Sequence, residues 1–268
     1  GIPFLAYVFW LGLFAGVTMF VLSLLFRRPP KVTFAHLRCY AVTGATGFAI
    51  PYAVVAVVVG HGVPSGIMSM VIALAPMMTY LGAVVFRMER AWWVKYLGLV
   101  IGMAGIVLIV APESSLPSRD LVPWILLSMI VPFCYATTTI AAIVMRPPAM
   151  DSLSFSAGYF LAPLPIVLGA MFLADEFWVF GSSFGEAEWA LVLSGLVQAL
   201  GIYLFLELVM LMGPVFFTTV NFITPLTGIL FGMAFFDERL SFWVLIALVP
   251  LFLGLFFVIL PRGEPKQQ

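Results

Sequence analysis

The feature that most constrains this chain is a stretch that occurs twice. Residues 74–90 read LAPMMTYLGAVVFRMER, and residues 223–239 read ITPLTGILFGMAFFDER. In each copy a proline, Pro76 or Pro225, stands 13 residues before a Glu-Arg pair, and all three residues recur at an offset of 149 residues. This spacing predicts that the chain is a duplication.

Both prolines predict an interrupted helix. A proline inside a membrane helix removes one backbone hydrogen bond and crowds the carbonyl four residues earlier, here that of Ile72 or Asn221. A carbonyl freed in hydrocarbon needs protein or water around it, so we expect these helices to face a bundle interior, with Pro76 and Pro225 as hinges. Interrupted helices at matching positions in two halves indicate the binding site of a transporter. The alternative is that both prolines are tolerated kinks in packing helices.

Composition places the chain in a membrane. Hydrophobic residues make up 63% of it and charged residues 9%, with a mean hydropathy of +1.17, which is typical of a polytopic membrane protein and not of a soluble domain. No cluster of Lys and Arg is long enough to suggest nucleic acid as a partner. Cys39 and Cys134 lie in apolar runs and are interpreted as core residues. We therefore predict an all-α fold in contact with the lipid bilayer.

Nine apolar segments have the length of about 20 residues that crosses ~30 Å of hydrocarbon. Their predicted ranges are 3–25, 34–59, 66–86, 94–111, 121–145, 153–174, 188–211, 214–236 and 241–260. The proline-bearing segments are the third and eighth, so the two copies cross the bilayer in opposite senses. This defines an inverted repeat.

The two predicted repeats are unequal in length. The second repeat, residues 121–260, has five spans, whereas the first, residues 1–111, has four. We expect that a first helix precedes Gly1 and is missing from this chain; the alternative is a natural nine-helix protein.

Positive charges predict the orientation. With the C-terminus inside, ten of the twelve Lys and Arg residues face the cytoplasm, and only Arg119 and Arg239 face outward. Positively charged loops are retained in the cytoplasm. The chain is therefore predicted to be a multi-pass protein of the cell (inner) membrane with a cytoplasmic C-terminus.

The repeated blocks resemble a known family. Their proline to Glu-Arg spacing is followed by an apolar helix with glycines, Gly98, Gly102 and Gly105 in the first copy and Gly254 in the second. This pattern resembles the EamA-type repeat of the drug/metabolite transporter superfamily, and the resemblance covers nearly the whole chain. It implies ten transmembrane helices in two inverted five-helix repeats around a central cavity, of which nine are visible here. It also implies a secondary transporter, commonly an exporter of amino acids or other small metabolites.

The chain departs from the family pattern in three ways, of which the first is that the first helix is not visible. Met212 and Gly213 replace the basic residues that are common after the eighth helix, and Glu207 stands where an aromatic residue is usual. The resemblance further implies that the second, third, fifth, seventh and eighth spans line the cavity. The polar and aromatic side chains on those spans are Tyr52, Thr79, Tyr80, Tyr135, Thr137, Tyr203, Glu207, Asn221 and Thr224. For each of them, ordinary helix packing is the alternative interpretation.

Glu207 is the one carboxylate inside an apolar span. A charge at mid-membrane costs ~2.5 to 3.5 kcal/mol on insertion scales, and an ion pair with Arg38 at similar depth on the repeat-related second span would relieve both charges. The functional hypothesis is that Glu207 binds a substrate amine or a proton and that Arg38 closes an inner gate. The alternative is a glutamate solvated at the membrane interface.

Charges and glycines at other repeated positions are interpreted as structural. Glu89, Arg90, Glu238 and Arg239 are expected at helix ends near water, where they cap or anchor a helix. Three glycine pairs with small-xxx-small spacing are expected to let helices approach closely. These pairs are Gly12/Gly16, Gly98/Gly102 and Gly228/Gly232.

Enzyme chemistry has no support in the sequence. There is no G-x-x-x-x-G-K-[ST] loop and no G-x-S-x-G arrangement, and neither His36 nor His61 belongs to an H-E-x-x-H motif. We therefore predict no catalytic residue, no cofactor and no metal site. The alternative to a transporter is a non-transporting membrane scaffold or a lipid-handling protein.

Overall fold

The computed structural model describes residues 2–112, 116–148, 150–180 and 184–260, and of residues 208–221 the backbone only. Within these ranges the chain is helical and has no strand. The helices are α1 (Phe4–Leu25), α2 (Phe34–Gly44), α3 (Ile50–Gly60), α4 (Ser65–Ile72), α5 (Ala75–Val85), α6 (Trp93–Val110), α7 (Val122–Ser128), α8 (Ile130–Val144), α9 (Ser152–Leu161), α10 (Leu164–Leu173), α11 (Glu186–Phe235) and α12 (Phe242–Ile259). A π-helical segment, Ala45–Ala49, joins α2 to α3. The prediction of an all-α fold is confirmed.

Helix bounds recur at the offset that the repeated stretch predicts. Helices α6 and α12 have 18 residues each, and both their first and their last residues lie 149 positions apart. Helix α1 corresponds in the same way to α9 and α10 together, since its 22 residues shifted by 149 cover 153–174. The duplication therefore extends beyond the repeated letters.

The chain also leaves corresponding spans by the same kind of turn. Among the described residues, four that are not glycine have positive φ, and all follow the end of a span: Arg27 (57°), Arg87 (57°), Asp175 (55°) and Asp237 (51°). Asp175 follows Arg27 by 148 residues and Asp237 follows Arg87 by 150, so the turns match to within one position. At the first repeat's turn, the N–H of Met88 donates to the carbonyl of Ala83 at 2.8 Å, which is the six-to-one hydrogen bond of a Schellman helix end.

Prolines determine where several spans are interrupted. Helices α4, α7 and α9 end at Ile72, Ser128 and Leu161, each four residues before a proline: Pro76, Pro132 and Pro165. The position four residues before a proline loses its hydrogen-bond donor and is crowded by the ring. The interruption predicted at Pro76 is thereby confirmed. At Pro225, in contrast, α11 is continuous.

Most predicted spans correspond to helices. Eight described helical segments are long and apolar enough to cross a membrane, and Phe222–Phe235 is a shorter apolar helix. The predicted break between spans 188–211 and 214–236 is wrong, because α11 runs through it as one helix of 50 residues. No charged residue lies between Glu207 and Asp237, so the sequence provides no charged stop there. Fifty residues exceed twice the length that one crossing needs.

The chain divides into two compact units that do not follow the predicted repeats. Unit 1 is Gly1–Val57 with Thr137–Gly213, and unit 2 is Val58–Ala136 with Pro214–Gln268. Each unit thus takes helices from both halves of the sequence. In unit 1, α1 packs against its counterparts α9 and α10, and Leu11, Phe48 and Phe160 are central to its core.

In unit 2 the repeat-related helices α6 and α12 pack against each other in a reciprocal way. A Cβ placed on Gly98 would lie 2.7 Å from the carbonyl oxygen of Gly254, and one on Gly105 would lie 2.9 Å from that of Ala247. Early residues of one helix therefore meet late residues of the other. Ala247 is the repeat counterpart of Gly98, and Gly254 is that of Gly105, so the repeat relation converts each of the two contacts into the other. This is the pattern of a twofold axis across an antiparallel pair, as an inverted repeat requires.

Candidate functional site

The interruption between α4 and α5, in unit 2, is the first candidate site. Here the N–H of Leu74 donates to Val71 at 3.1 Å, and those of Met77 and Met78 both donate to Leu74. Ile72 is the last residue of α4, and Pro76, four residues later, has no N–H to donate to its carbonyl. The carbonyl of Ile72 therefore lacks the donor that an unbroken helix would supply.

The neighbouring end of α11 approaches this broken span closely. The hydroxyl of Ser69 donates to Gly66 at 2.7 Å and lies 3.4 Å from the carbonyl oxygen of Pro225. Its side chain fills the space over Gly228. The Ser65 hydroxyl is similarly close to Gly232, at 2.8 Å from the position of a Cβ. The Gly228/Gly232 pair thus allows the close helix approach that its spacing predicts.

Glu238 connects the two elements. Its carboxylate accepts the N–H of Ser65 at 2.6 Å and that of Gly66 at 3.1 Å. These are donors at the start of α4 that have no partner within the helix, where the helix dipole also favours a negative charge. The structural interpretation of Glu238 as a helix-capping residue is confirmed.

Its repeat mate Glu89 makes a different contact. Glu89 forms an ion pair with Lys95, whose ammonium also lies 5.1 Å from the ring centroid of Tyr80. Arg90 and Arg239 are exposed. The two Glu-Arg pairs therefore share a position in the repeat but not a bonding partner.

Two predicted cavity residues of unit 2 are engaged in local hydrogen bonds. The hydroxyl of Thr79 donates to Ala75 at 2.8 Å, and that of Tyr80 accepts the N–H of Trp92 at 2.9 Å. Tyr80 is buried. These bonds give both residues a structural role within α5 and at the start of α6.

The remaining predicted residues of unit 2 have less distinct surroundings. Tyr135 and Thr224 are half-buried, and Pro225 is buried. The side chain of Asn221 lies outside the described residues. Unit 2 therefore presents one well-defined polar feature from the predicted set, the break before Pro76.

A second candidate site lies in unit 1, at the π-helical segment. The hydroxyl of Thr46 donates to Val42 at 2.8 Å and lies 2.7 Å from the hydroxyl of Thr138. A Cβ on Gly47 would lie 2.6 Å from the Tyr159 hydroxyl and 2.9 Å from the methyl group of Thr138. Three hydroxyl side chains thus converge beside a segment with π geometry, which is frequent at functional sites.

Two predicted residues of unit 1 lie next to this segment. Tyr52 and Tyr203 are half-buried and pack against the same hydrophobic core, and the ring of Tyr52 lies 5.0 Å from that of Phe48. Thr137 is exposed. Thr46, Thr138 and Tyr159 were not predicted as site residues. The sequence signal for an irregular helix here is Pro51, four residues after Gly47.

Arg38 and Glu207, both in unit 1, do not form the predicted ion pair in this structure. The only ion pair between described residues is that of Lys95 with Glu89. Arg38 is exposed on α2, and Glu207 is half-buried on α11. Leu206, the neighbour of Glu207, packs against the cluster of Cys39, Tyr40 and Phe155.

Metal binding finds no site in the described part of the chain. No group of three or more His, Cys, Asp or Glu side chains there is placed to hold a metal ion. The polar groups at both candidate sites are hydroxyls and backbone carbonyls. Such groups can hydrogen-bond a small polar molecule.

Eight apolar spans, interrupted helices and an antiparallel, repeat-related helix pair together define a multi-pass helical membrane protein built as an inverted repeat. The family model described as the EamA-like transporter family matches residues 1–111 and 122–260. The chain belongs to this family, which is part of the drug/metabolite transporter superfamily, so it is a membrane transporter by family. No curated protein matches it.

Proposed function

We propose that this protein is a secondary transporter that exports a small metabolite, such as an amino acid, by alternating access. The observation that carries the proposal is the interruption of the span after Ile72, before Pro76, in a chain of a transporter family. Interrupted helices in inverted repeats supply backbone groups to substrates near the middle of the bilayer. We further propose residues 1–111 and 121–260 as the two functional repeats.

The proposed substrate cavity includes the residues predicted from the sequence. Support is strongest for Tyr52 and Tyr203, which lie near the π-helical segment, and weaker for Thr79 and Tyr80, whose hydroxyls have local partners. Tyr135, Asn221 and Thr224 complete the proposed set. Aromatic and hydroxyl side chains suit an amphipathic small molecule, because they combine an apolar face with hydrogen-bonding groups.

Glu207 is proposed as the charged group of this cavity, with Arg38 as its partner when the inner side is closed. In that arrangement Glu207 binds the substrate amine or a coupling proton when Arg38 is withdrawn. Arg38 and Glu207 do not form an ion pair in the present structure, which is consistent with an inner side that is open. We place the protein in the cell (inner) membrane with a cytoplasmic C-terminus, because ten of twelve positive charges fall on one side.

The test is solute counterflow in proteoliposomes. Purified protein is reconstituted in vesicles loaded with a mixture of unlabelled amino acids, and uptake of each radiolabelled amino acid is measured against empty vesicles. Accumulation of at least one amino acid, lost in Glu207→Gln and kept in the exposed-site control Glu186→Gln, supports the proposal. Scrambling of a fluorescent lipid without solute flux would instead favour a lipid-handling protein, and neither activity would favour a scaffold.

A further inference from the structure

An apolar groove runs along unit 2 between α6 and the start of the next span. Its volume is about 220 Å³, and Met103, Ile106, Val107, Val110, Leu126 and Met129 are among its lining residues. Ile106 is 5% exposed and forms part of the floor, whereas Val107 and Leu126 are 58% and 57% exposed at the sides. From Met103 to Val110 the groove follows α6 for about 10 Å, at 1.5 Å per residue.

Arg119 stands at one end of this groove. Its Nη1 donates to the carbonyl of Val110 and to that of Pro112, the latter at 3.4 Å. Its Nη2 donates to the carbonyl of Ala111 at 3.4 Å. These contacts satisfy carbonyls at the C-terminal end of α6 that lack helical partners. They also place the guanidinium at the boundary of the two candidate spans Trp93–Val110 and Arg119–Val144.

The contacts of Arg119 leave one edge of the guanidinium unused within the described part of the chain. Nη1 donates to Val110 and Pro112 and Nη2 donates to Ala111, whereas Nε donates to no described residue. The Nε–H and one Nη2–H form a pair of parallel donors on that edge. That pair of parallel donors binds a phosphate in bidentate fashion. The neighbouring carboxylate of Asp120 accepts the Ser118 hydroxyl at 3.0 Å.

We propose that this groove binds one glycerophospholipid, with an acyl chain along α6 and the headgroup phosphate on the free edge of Arg119. The site has its charged and apolar parts in the same order as the lipid. The guanidinium of Arg119 lies at the span boundary, where the phosphate would be, and the apolar groove continues toward the middle of the span, where the acyl chain would be. None of the residues that line the groove belongs to either candidate substrate site. It therefore does not depend on the proposed transport function.

The binding test uses vesicles of phosphatidylcholine that contain a fraction of phosphatidylglycerol with a photoreactive diazirine in its acyl chain. After illumination, the crosslinked peptides of the reconstituted full chain are identified by mass spectrometry. We expect crosslinks concentrated at residues 103–110 and 126–129. Val107→Trp fills the groove, and Arg119→Gln removes the bidentate donor. Each variant should lower these crosslinks by about tenfold, because the first removes apolar burial of the acyl chain and the second removes a charge-assisted hydrogen bond to the phosphate.

Two matched variants act as controls. Val100→Trp changes a residue on the same helix that is 65% exposed and does not line the groove, and Arg239→Gln removes an exposed arginine elsewhere in unit 2. Both should leave crosslinking at the groove within about twofold of the unchanged protein, since surface substitutions have small effects. Thermal unfolding in detergent confirms that each variant is folded.

Several results would overturn the proposal. Crosslinks spread evenly over the exposed face of α6 would indicate general bilayer contact instead of a site. An Arg119→Gln variant with unchanged crosslinking would show that the phosphate is not held there. A Val107→Cys variant that forms a disulfide-linked dimer in vesicles would show that a second copy of the chain covers the groove.

Discussion

Ser65 donates its backbone N–H to the Glu238 carboxylate at 2.6 Å, across 173 positions of sequence. The same carboxylate accepts the N–H of Gly66. A residue after the end of α11 therefore completes the beginning of α4. The cap holds together the end of a helix from the second half and the start of an interrupted span from the first.

We expect Glu238→Gln to destabilise the protein by about 1 kcal/mol, because a neutral amide caps a helix start less well than a carboxylate and loses the interaction with the dipole. The measurement is thermal unfolding in detergent. Glu186→Gln, an exposed carboxylate in the first turn of α11, is the control and should cost less. Equal losses in the two variants would argue against a special role for Glu238.

Two glycines differ in the space beside them, so replacing each by alanine is expected to change the stability in opposite directions. Gly254 lies in the contact of α6 with α12, and Gly201 lies on α11. A Cβ at Gly254 would clash with the carbonyl oxygen of Gly98, whereas one at Gly201 meets nothing within 4 Å. Gly254→Ala should therefore destabilise by about 1 to 3 kcal/mol through overpacking. Gly201→Ala should be neutral or stabilising by up to about 1 kcal/mol, as alanine favours a helix. Unfolding of both variants in the same detergent decides the matter; a stable Gly254→Ala protein would contradict the tight contact.

Pro76→Ala should convert α4 and α5 toward one continuous helix, because alanine restores the donor to Ile72 and removes the ring clash. A proline in a helix costs about 3 kcal/mol, so its removal is expected to lower the transport rate tenfold or more by favouring the unbroken form. Counterflow and expression level are measured together, and transport should fall more than expression. Pro225→Ala is the repeat-matched comparison, where α11 is already continuous, and we expect a smaller change. Unchanged transport in Pro76→Ala would remove the hinge hypothesis.

Glu207→Gln keeps the shape of the side chain and removes its charge. If Glu207 binds the substrate amine, we expect a large loss of counterflow, about tenfold or more for a charge-assisted hydrogen bond. Arg38→Gln should weaken closure of the inner side and leave substrate binding measurable. Counterflow that is intact and has the same pH dependence in Glu207→Gln would leave only the solvated interfacial glutamate.

The sequence predicted those parts of the fold that depend on spacing along one chain. The offset of 149, the interruption at Pro76 and most spans follow from local rules of hydropathy and proline chemistry. The interruptions before Pro132 and Pro165 and the π segment before Pro51 were not predicted, although the same rule applies to them, since neither Pro132 nor Pro165 nor Pro51 belongs to the repeated stretch. The continuous helix at 212–213 was also missed, since Gly213 and Pro214 do not end it.

The candidate sites were less predictable, because they depend on which distant residues meet. Thr46 and Thr138 are 92 positions apart, and no periodicity in the sequence predicts that they are in contact. The hydroxyls of Thr79 and Tyr80 were predicted to face a cavity but have local partners; sequence gives residue type but not hydrogen-bond partner. Glu238 was correctly interpreted as a capping residue, yet the helix that it caps could not be read from its own neighbourhood.

The glycines of the α6–α12 contact are distributed unevenly between the two halves. Helix α6 carries Gly98, Gly102 and Gly105, whereas the facing positions of α12 include Ala247, Leu251 and Gly254. Because the contact is reciprocal, α6 contains by itself a glycine at each of the two exchanging positions. A protein that consisted of the first repeat alone would therefore present glycines at both contact positions to an identical copy of itself.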